Sequence, residues 1–411
     1  MSLTSSIEPE VVSFGCRLNL VEGEAIRRAA QGRRDLAIVN TCGVTGEAVR
    51  QARQAIRRLR RERPDRAIVV TGCAAEMEPQ RFAAMPEVDR LVANRVKTTA
   101  DAWASSEARG APRADHSPLE EGVEAHTRAF LAVQNGCDHA CTFCAIPRGR
   151  GAARSAPLGD VVARAKALAE RGFREIVLTG VDLTSWGGDL QGAPRLGALV
   201  RAILRGAPTL ARLRLSSIDC IEADADLLAA FAEEERLMPY LHLSLQSGDD
   251  LILKRMKRRH SRADAVALCA ELRRLRPDMA FGADLIAGFP TETEAMAAAT
   301  RALIDDCGLA FLHVFPFSPR PDTPAARMPQ VAPGVARERA ARLREAGDRA
   351  LGRHLAAQAG RALPVLVERG GRGRAPDFTP VATPTLAPGH LVTLTIAGDD
   401  GRQLHAAPHA H

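Results

Sequence analysis

The stretch Asn135-Gly-Cys137-Asp-His-Ala-Cys141-Thr-Phe-Cys144 sets three cysteines on one short loop directly after the apolar run at 129–134. That run opens a series. Further β-type runs stand at about 175–180, 212–217, 240–246, 280–287 and 310–316, alternating with helical segments near 158–171, 197–206, 223–236, 261–276 and 292–306. Six β/α units predict a full or partial parallel barrel, with its chemistry at the C-terminal ends of the strands. The cysteine loop lies at the first of those ends. Three thiolates in a CxxxCxxC spacing suit three irons of a 4Fe–4S cube and leave the fourth iron without a protein ligand. Zinc is the alternative, with His139 or His126 as fourth ligand, although compact zinc sites usually come as two spaced pairs.

Upstream, three short apolar runs each end at a cysteine: Glu10–Phe14 before Gly15-Cys16, Leu36–Asn40 before Thr41-Cys42, and Ala67–Val70 before Thr71-Gly72-Cys73. Helical stretches at about 22–31, 46–63 and 76–84 separate and follow them, which predicts a parallel sheet covered by helices. Loops after the strand C-termini gather on one edge of such a sheet. Cys16, Cys42 and Cys73 are therefore expected to converge as a second ligand set; the alternative is three unrelated buried thiols. Gly15 and Gly72 either let the backbone approach a bulky inorganic group or serve plain turns. The 46–63 helix carries Val49, Ala52, Ile56 and Leu59 on one face and arginines at 50, 53, 57, 58, 60, 61, 63 and 66 mostly elsewhere. Those arginines read either as a solvated face or as a contact to RNA phosphates.

The loop, with Phe143 before its last cysteine at the first strand of a partial β/α barrel, resembles the radical S-adenosylmethionine superfamily. The resemblance implies that Cys137, Cys141 and Cys144 hold a 4Fe–4S cluster whose open iron chelates S-adenosylmethionine. Reductive cleavage there yields a 5′-deoxyadenosyl radical. Phe143 packs either near the adenosyl group or simply within the loop. Polar groups inside a barrel are costly unless satisfied. Thr179, Gly180, Asp182, Ser217, Ser244, Gln246 and Asp284, at or near later strand ends, are therefore expected to take the cofactor's zwitterion and ribose.

Two cysteine trios followed by a short β tail resemble the methylthiotransferases along nearly the whole chain. The chain is similar to the tRNA threonylcarbamoyladenosine branch in GCRLN (15–19), VNTCGVT (39–45), VQNGCDHACTFCAIPRGRG (133–151), LTGVDLTSW (178–186), LHLSLQSGDDLILKRMKRRHSR (241–262) and HVFPFSPRPDTPAARMP (313–329). The isopentenyladenosine and ribosomal-protein branches share the six cysteines, so KRMKRR and FPFSPRPDTPAARMP carry the distinction. This resemblance implies an auxiliary 4Fe–4S cluster on Cys16, Cys42 and Cys73 that carries the sulfur. One S-adenosylmethionine methylates that sulfur and a second supplies the radical at C2 of an adenosine next to the anticodon. Implied partners are tRNA, through its anticodon loop, and an electron donor such as flavodoxin or ferredoxin. Lys254–Arg259 is a basic cluster where the anticodon-loop backbone would pass, or a solvated loop. A noncatalytic iron–sulfur carrier or RNA-binding regulator is the alternative class.

From Asp101 to Arg128 the sequence loses periodicity and reads as a linker. The expected domains are an N-terminal domain over 1–112, a radical core over 123–359 and a C-terminal domain over 360–411. After a helix from about Val335 to Ala359, LPVLVE, DFTPVAT and HLVTLTIAG read as strands of a small β barrel resembling the RNA-binding TRAM domain. With 46% hydrophobic residues in 411, the chain can build real cores. A net charge of +7 permits a polyanionic partner without deciding for one. Nine cysteines without an export signal point to metal or redox chemistry rather than disulfides. Cys220, Cys269 and Cys307 share no spacing and are expected to be structural, and His405, His409 and His411 an untidy end. No window approaches the roughly 18 apolar residues of a membrane helix. A cytoplasmic, monomeric protein is expected. A phosphate-binding glycine loop is missing, so triphosphate use is not indicated.

Overall fold

The structure, a computed structural model, describes residues 9–104 and 127–407. Strands β1 (Glu10–Ser13), β2 (Leu36–Thr41), β3 (Ala67–Gly72) and β4 (Arg90–Leu91) pair in parallel in that order. Every residue of β2 is buried because both faces of the sheet are covered. Ala37 and Val39 pack with Val49, Ile56 and Leu59 of helix α2 (Gly46–Glu62). Leu36 and Ile38 point the other way, to Ile26 of helix α1 (Arg17–Ala29). Helix α1 starts about five residues before the predicted 22. Its first turns are buried and include the polar Asn19 and Glu22, which break the apolar periodicity. The predicted 76–84 helix divides at Glu78 into Cys73–Met77 and Pro79–Ala83, because Pro79 starts a new helix.

The six predicted barrel strands are all present. Strand β5 (Ala129–Ala132), Glu175–Thr179 and Arg212–Leu215 form one parallel sheet, and Ser217–Ile218, Tyr240–Gln246, Ala280–Ala287 and Leu309–Pro316 a second. Ser216 interrupts the third strand between them, so the arc is a partial barrel of the expected α/β class. Outward residues such as Leu131, Leu178, Leu213, Leu243 and Leu285 pack beneath the surrounding helices in the largest core. Inward residues Phe130, Ala132 and Val177 pack instead against Leu18 and Val21 of α1. The first helix of the N-terminal unit thus lies on the inner face of the barrel.

After helix Pro333–Ala356, a closed five-stranded barrel runs Ala362–Glu368, Arg372–Arg374, Pro380–Ala382, Leu404–Ala406, Leu391–Asp399 around its circumference. The sequence showed only three of these strands. Arg372–Arg374 and Leu404–Ala406 span three residues each, too short for an alternating pattern to register. This barrel sits under the N-terminal ends of the α/β strands. There Arg212 Nη1 donates to the Arg374 carbonyl at 3.0 Å and Arg214 Nη1 to that of Pro376 at 2.9 Å. Phe378 stacks on Tyr240 at 5.0 Å. Burial would push the Glu175 carboxyl up, but the Arg214 guanidinium at 2.9 Å outweighs it, with Arg128 and Arg212, and holds it at about 2. The predicted boundaries at 112 and 123, most of the predicted linker, and His409 and His411 lie outside the described residues.

Candidate active site

Because β1, β2 and β3 run side by side, the turns after them share one sheet edge, and Cys16, Cys42 and Cys73 stand there. Cys16 is exposed; Cys42 and Cys73 are buried. Gly15 has φ +91°, and a Cβ on it would collide with Cys42 Sγ. Gly72 has φ +95°, and a Cβ would run into the Thr41 backbone. Both glycines therefore allow chain segments to close on each other around the cysteines. Burial pushes the Cys42 thiol up to about 11, with smaller upward effects from Cys16 and Cys73 against the Val44 backbone and Arg150. Burial also pushes Cys73 up. Thiols of this kind become thiolates only with a positive partner such as a metal.

Two buried cations stand beside this trio. Arg150 donates to Glu22 Oε1 at 2.8 Å, to Asn19 Oδ1 at 2.6 Å and to Asn135 Oδ1 at 3.0 Å, with Nη2 4.0 Å from Cys16 Sγ. Lys97 Nζ donates to Glu22 Oε2 at 2.6 Å and Asn40 Oδ1 at 3.0 Å. Burial alone would raise the Glu22 carboxyl, yet Arg150 and Lys97 hold it at about 2. Arg150 thus ties Asn135, in the second cysteine loop, to the helix that follows Cys16. Sequence reasoning missed this network. One signal was available: Lys97 is among only four lysines in the chain, and it is 1% exposed.

The second trio is built locally. Cys144 N donates to the Cys141 carbonyl at 3.2 Å, Ile146 N lies 3.4 Å from Cys144 Sγ, and Cys137 Sγ lies 3.6 Å from Asp182 Oδ2. Burial pushes Cys137 up to about 12 and Cys144 to about 11. His139 Nε2 is 2.7 Å from Asp182, and hydrogen bonds to Asp182 and Glu222 raise it to about 10. Cys137, His139 and Asp182 offer ligand atoms within 4.8 Å of one another, the closeness that the zinc reading needs, with Asp182 at 2.7 Å already on His139 Nε2; His126 lies outside the described residues. Phe143 packs edge-on to Phe289 at 6.4 Å, against a cluster of Ile252, Met256 and Ile286.

The basic Lys254–Arg259 segment is in part turned inward. Arg258 donates to Asp219 at 3.0 Å and to the Ser244 carbonyl at 2.7 Å, with Nη1 3.7 Å from Cys141 Sγ. Arg259 donates to Glu222 at 2.6 Å. Neither residue is an idle surface cation. On α2, Arg50, Arg57, Arg58 and Arg60, and just after it Arg63 and Arg66, pair with acids, as a solvated, self-neutralised face does.

The remaining predicted positions are scattered around the inner surface. Among the described residues, Thr179 is buried with no partner for Oγ1, and on the neighbouring strand end Ser216 Oγ is likewise unpaired. Buried hydroxyls without partners at the barrel mouth fit a polar ligand. Gly180 lies on Gln134, where an added Cβ would come within 3.0 Å of Oε1. Ser217 is half-buried, and Gln246 takes φ +69°. Asp284 bridges His242 Nε2 at 3.0 Å and His313 Nδ1 at 3.1 Å. The other cysteines, Cys220, Cys269 and Cys307, are all buried, as structural thiols are.

Residues 131–304 match the Radical SAM superfamily, and residues 9–93 match an uncharacterized protein family, UPF0004. A threonylcarbamoyladenosine tRNA methylthiotransferase of Rickettsia prowazekii is 45% identical over 92% of this chain and 92% of its own length. The chain belongs to the radical S-adenosylmethionine methylthiotransferase family. Another family member, the threonylcarbamoyladenosine enzyme of Aquifex aeolicus, is 33% identical over 81% of this chain and 86% of its own. A tRNA-2-methylthio-N(6)-dimethylallyladenosine synthase of Novosphingobium aromaticivorans is 38% identical over 90% and 89%. Among solved structures, the radical S-adenosylmethionine methyltransferase TsrM of Kitasatospora setae shares the fold, with a TM-score of 0.53 at 17% identity over 74% of this chain and 66% of that one. No helix of the described residues is long and apolar enough to cross a membrane.

Proposed function

We propose that this methylthiotransferase adds a methylthio group to C2 of N6-threonylcarbamoyladenosine next to the anticodon of tRNA. The observation that carries the reading is the pair of separate cysteine trios on one chain, joined by Arg150, together with 45% identity to the Rickettsia enzyme. In this reading Cys137, Cys141 and Cys144 hold one 4Fe–4S cluster and Cys16, Cys42 and Cys73 an auxiliary one. Each trio offers three thiols and so leaves one iron open. Bound there, the clusters and S-adenosylmethionine supply a carbon-centred radical and the sulfur to be inserted. The substrate's C2–H bond is not acidic enough for acid–base or nucleophilic chemistry at neutral pH, so a radical route is needed.

The chain's own residues bind and orient. Thr179 Oγ1 and Ser216 Oγ are free to bond the cofactor, with Gly180, Asp182, Ser217, Ser244, Gln246 and Asp284 around the same inner surface. Asp182 holds His139, and Arg258 holds Asp219, at the cluster loop, so the charges around it are fixed before substrate arrives. The C-terminal barrel, read as TRAM-like, contributes to tRNA binding. Residues 1–112, 123–359 and 360–411 are the corresponding domains. A flavodoxin or ferredoxin delivers electrons, and the chain works as a monomer in the cytoplasm. Mass spectrometry of tRNA nucleosides from a deletion strain tests the reading: the methylthio form of threonylcarbamoyladenosine should vanish while its precursor accumulates. Loss of the isopentenyl derivative instead would reassign the substrate.

A further inference from the structure

The floor of the α/β barrel carries an arginine that no acid among the described residues neutralises. The guanidiniums of Arg17, Arg128, Arg214 and Arg374 lie 4.6–5.7 Å from the centroid of the Phe378 ring. Glu175 pairs with Arg214 at 2.9 Å and Arg128 at 3.8 Å, and Glu368 with Arg128 at 2.5 Å and Arg374 at 3.4 Å. Among the described residues, no carboxylate pairs with Arg17. Its contacts are aromatic, 5.9 Å from the inward-facing Phe130 ring and 5.7 Å from Phe378. Burial pushes its pKa down, followed by the charge of Arg128, while Tyr240 opposes them and Arg214 and Arg374 add smaller downward effects. An arginine remains charged regardless, so this half-buried cation is open to an anion. Arg17 directly follows Cys16 at the start of α1, the helix that lies on the barrel's inner face.

A second polar group, this one an acceptor, faces the same interior. The His313 side chain is 61% exposed, and its Nδ1 is committed to Asp284 Oδ1 at 3.1 Å, leaving Nε2 open. Asp284 is itself held by His242, whose Nδ1 lies 3.0 Å from the Tyr240 hydroxyl, and Tyr240 stacks on Phe378. The chain Tyr240–His242–Asp284–His313 therefore fixes the imidazole over the same aromatic floor that carries Arg17.

We propose that Arg17 receives the carboxylate of the threonylcarbamoyl substituent, with His313 Nε2 accepting from that substituent's hydroxyl, and selects that base over one bearing an apolar N6 group. An isopentenyl group offers no anion and would leave the half-buried guanidinium without an ionic partner, the asymmetry by which a polar site rejects an analogue lacking its partner. A lysine would carry the charge but not the planar fork that matches a carboxylate. The proposal rests on the tRNA reading above.

The test uses the reconstituted full chain and synthetic anticodon stem-loops whose base next to the anticodon is threonylcarbamoyladenosine, its carboxyl methyl ester, isopentenyladenosine or adenosine, with binding followed by fluorescence anisotropy. The wild type should bind the acid about tenfold or more tighter than the ester, the scale of one charge-assisted hydrogen bond. Arg17→Gln should bring that ratio close to one, Arg17→Lys should keep part of it, and His313→Gln should reduce it less than Arg17→Gln does. Equal binding of acid and ester by the wild type would overturn the proposal, and that comparison needs no variant to fold. An unchanged ratio in Arg17→Gln would overturn it as well. So would a loss confined to S-adenosylmethionine binding, which would give Arg17 to the cofactor's carboxylate. If the wild type thiolates threonylcarbamoyl tRNA yet shows no acid preference, this inference falls and the function stands; if it thiolates only isopentenyl tRNA, the functional reading itself falls.

Discussion

The two cysteine trios reach similar chemistry by opposite routes. Cys137, Cys141 and Cys144 share one loop, fixed by hydrogen bonds within a few residues and by Asp182 and Arg258. Cys16, Cys42 and Cys73 are 26 and 31 residues apart and meet only because three parallel strands end together. Their surroundings are paired charges in different arrangements, each with a cation near a sulfur: Arg150 Nη2 4.0 Å from Cys16 and Arg258 Nη1 3.7 Å from Cys141. Buried cations, Arg150 and Lys97, flank the strand-end trio, while the loop trio lies beside Asp182, Asp219 and Glu222, which are paired with His139, Arg258 and Arg259. A site made by topology should fail when the sheet edge or the domain contact is disturbed. A site made by a loop should fail only when the loop is.

The sharpest separation comes from deleting one thiol on each side. Cys137→Ala is expected to abolish 5′-deoxyadenosine release from S-adenosylmethionine in the presence of dithionite. Cys42→Ala should retain that release but form no methylthiolated nucleoside. Equal loss of both activities in both variants would mean that the trios are not separate sites.

A smaller but still large effect is expected at the contact between the two. Arg150→Met removes one charge-assisted donor from Glu22 and Asn19 while Lys97 stays on Glu22, a loss on the order of 1–3 kcal/mol. Thermal denaturation should show this loss, and the strand-end trio should release its iron first. If both sites lose iron in parallel, Arg150 does not serve the first trio in particular.

Gly15→Ala forces a side chain into the left-handed region and onto Cys42, at a cost on the order of 1–3 kcal/mol. Iron content should fall from about eight to about four per chain, with S-adenosylmethionine cleavage retained. The smallest effect concerns pH. The Glu175 carboxyl lies at about 2 in the folded chain against an ordinary 4.5, so its contribution is complete above 4.5 and is lost as pH falls from there toward 2. Acid unfolding of the metal-free chain followed by circular dichroism should therefore lose part of its pH dependence in that window in Glu175→Gln. An unchanged profile would remove Glu175 from the account of how the C-terminal barrel is held.

Much of this was legible in the chain. Six apolar runs at regular spacing became six parallel strands, and three runs ending in cysteine became adjacent strands of one sheet, because hydrophobic period and βα spacing are local signals. What surrounds the cysteines was not legible. Arg150 lies 134 positions from Cys16, and nothing in an Arg-Gly-Arg-Gly run says which arginine turns inward. Arg258 and Arg259 looked like surface charge because burial by pairing with distant acids leaves no periodic trace. The two missed strands of the C-terminal barrel are short and are held by closure of the barrel rather than by their own pattern.

Mössbauer spectroscopy with iron and zinc analysis, on anaerobically prepared wild type and Cys42→Ala, tests the central claim most directly. The account predicts two distinguishable 4Fe–4S signals in the wild type and only one in the variant. Zinc in place of iron, or one four-iron signal in the wild type that persists unchanged in Cys42→Ala, would contradict it.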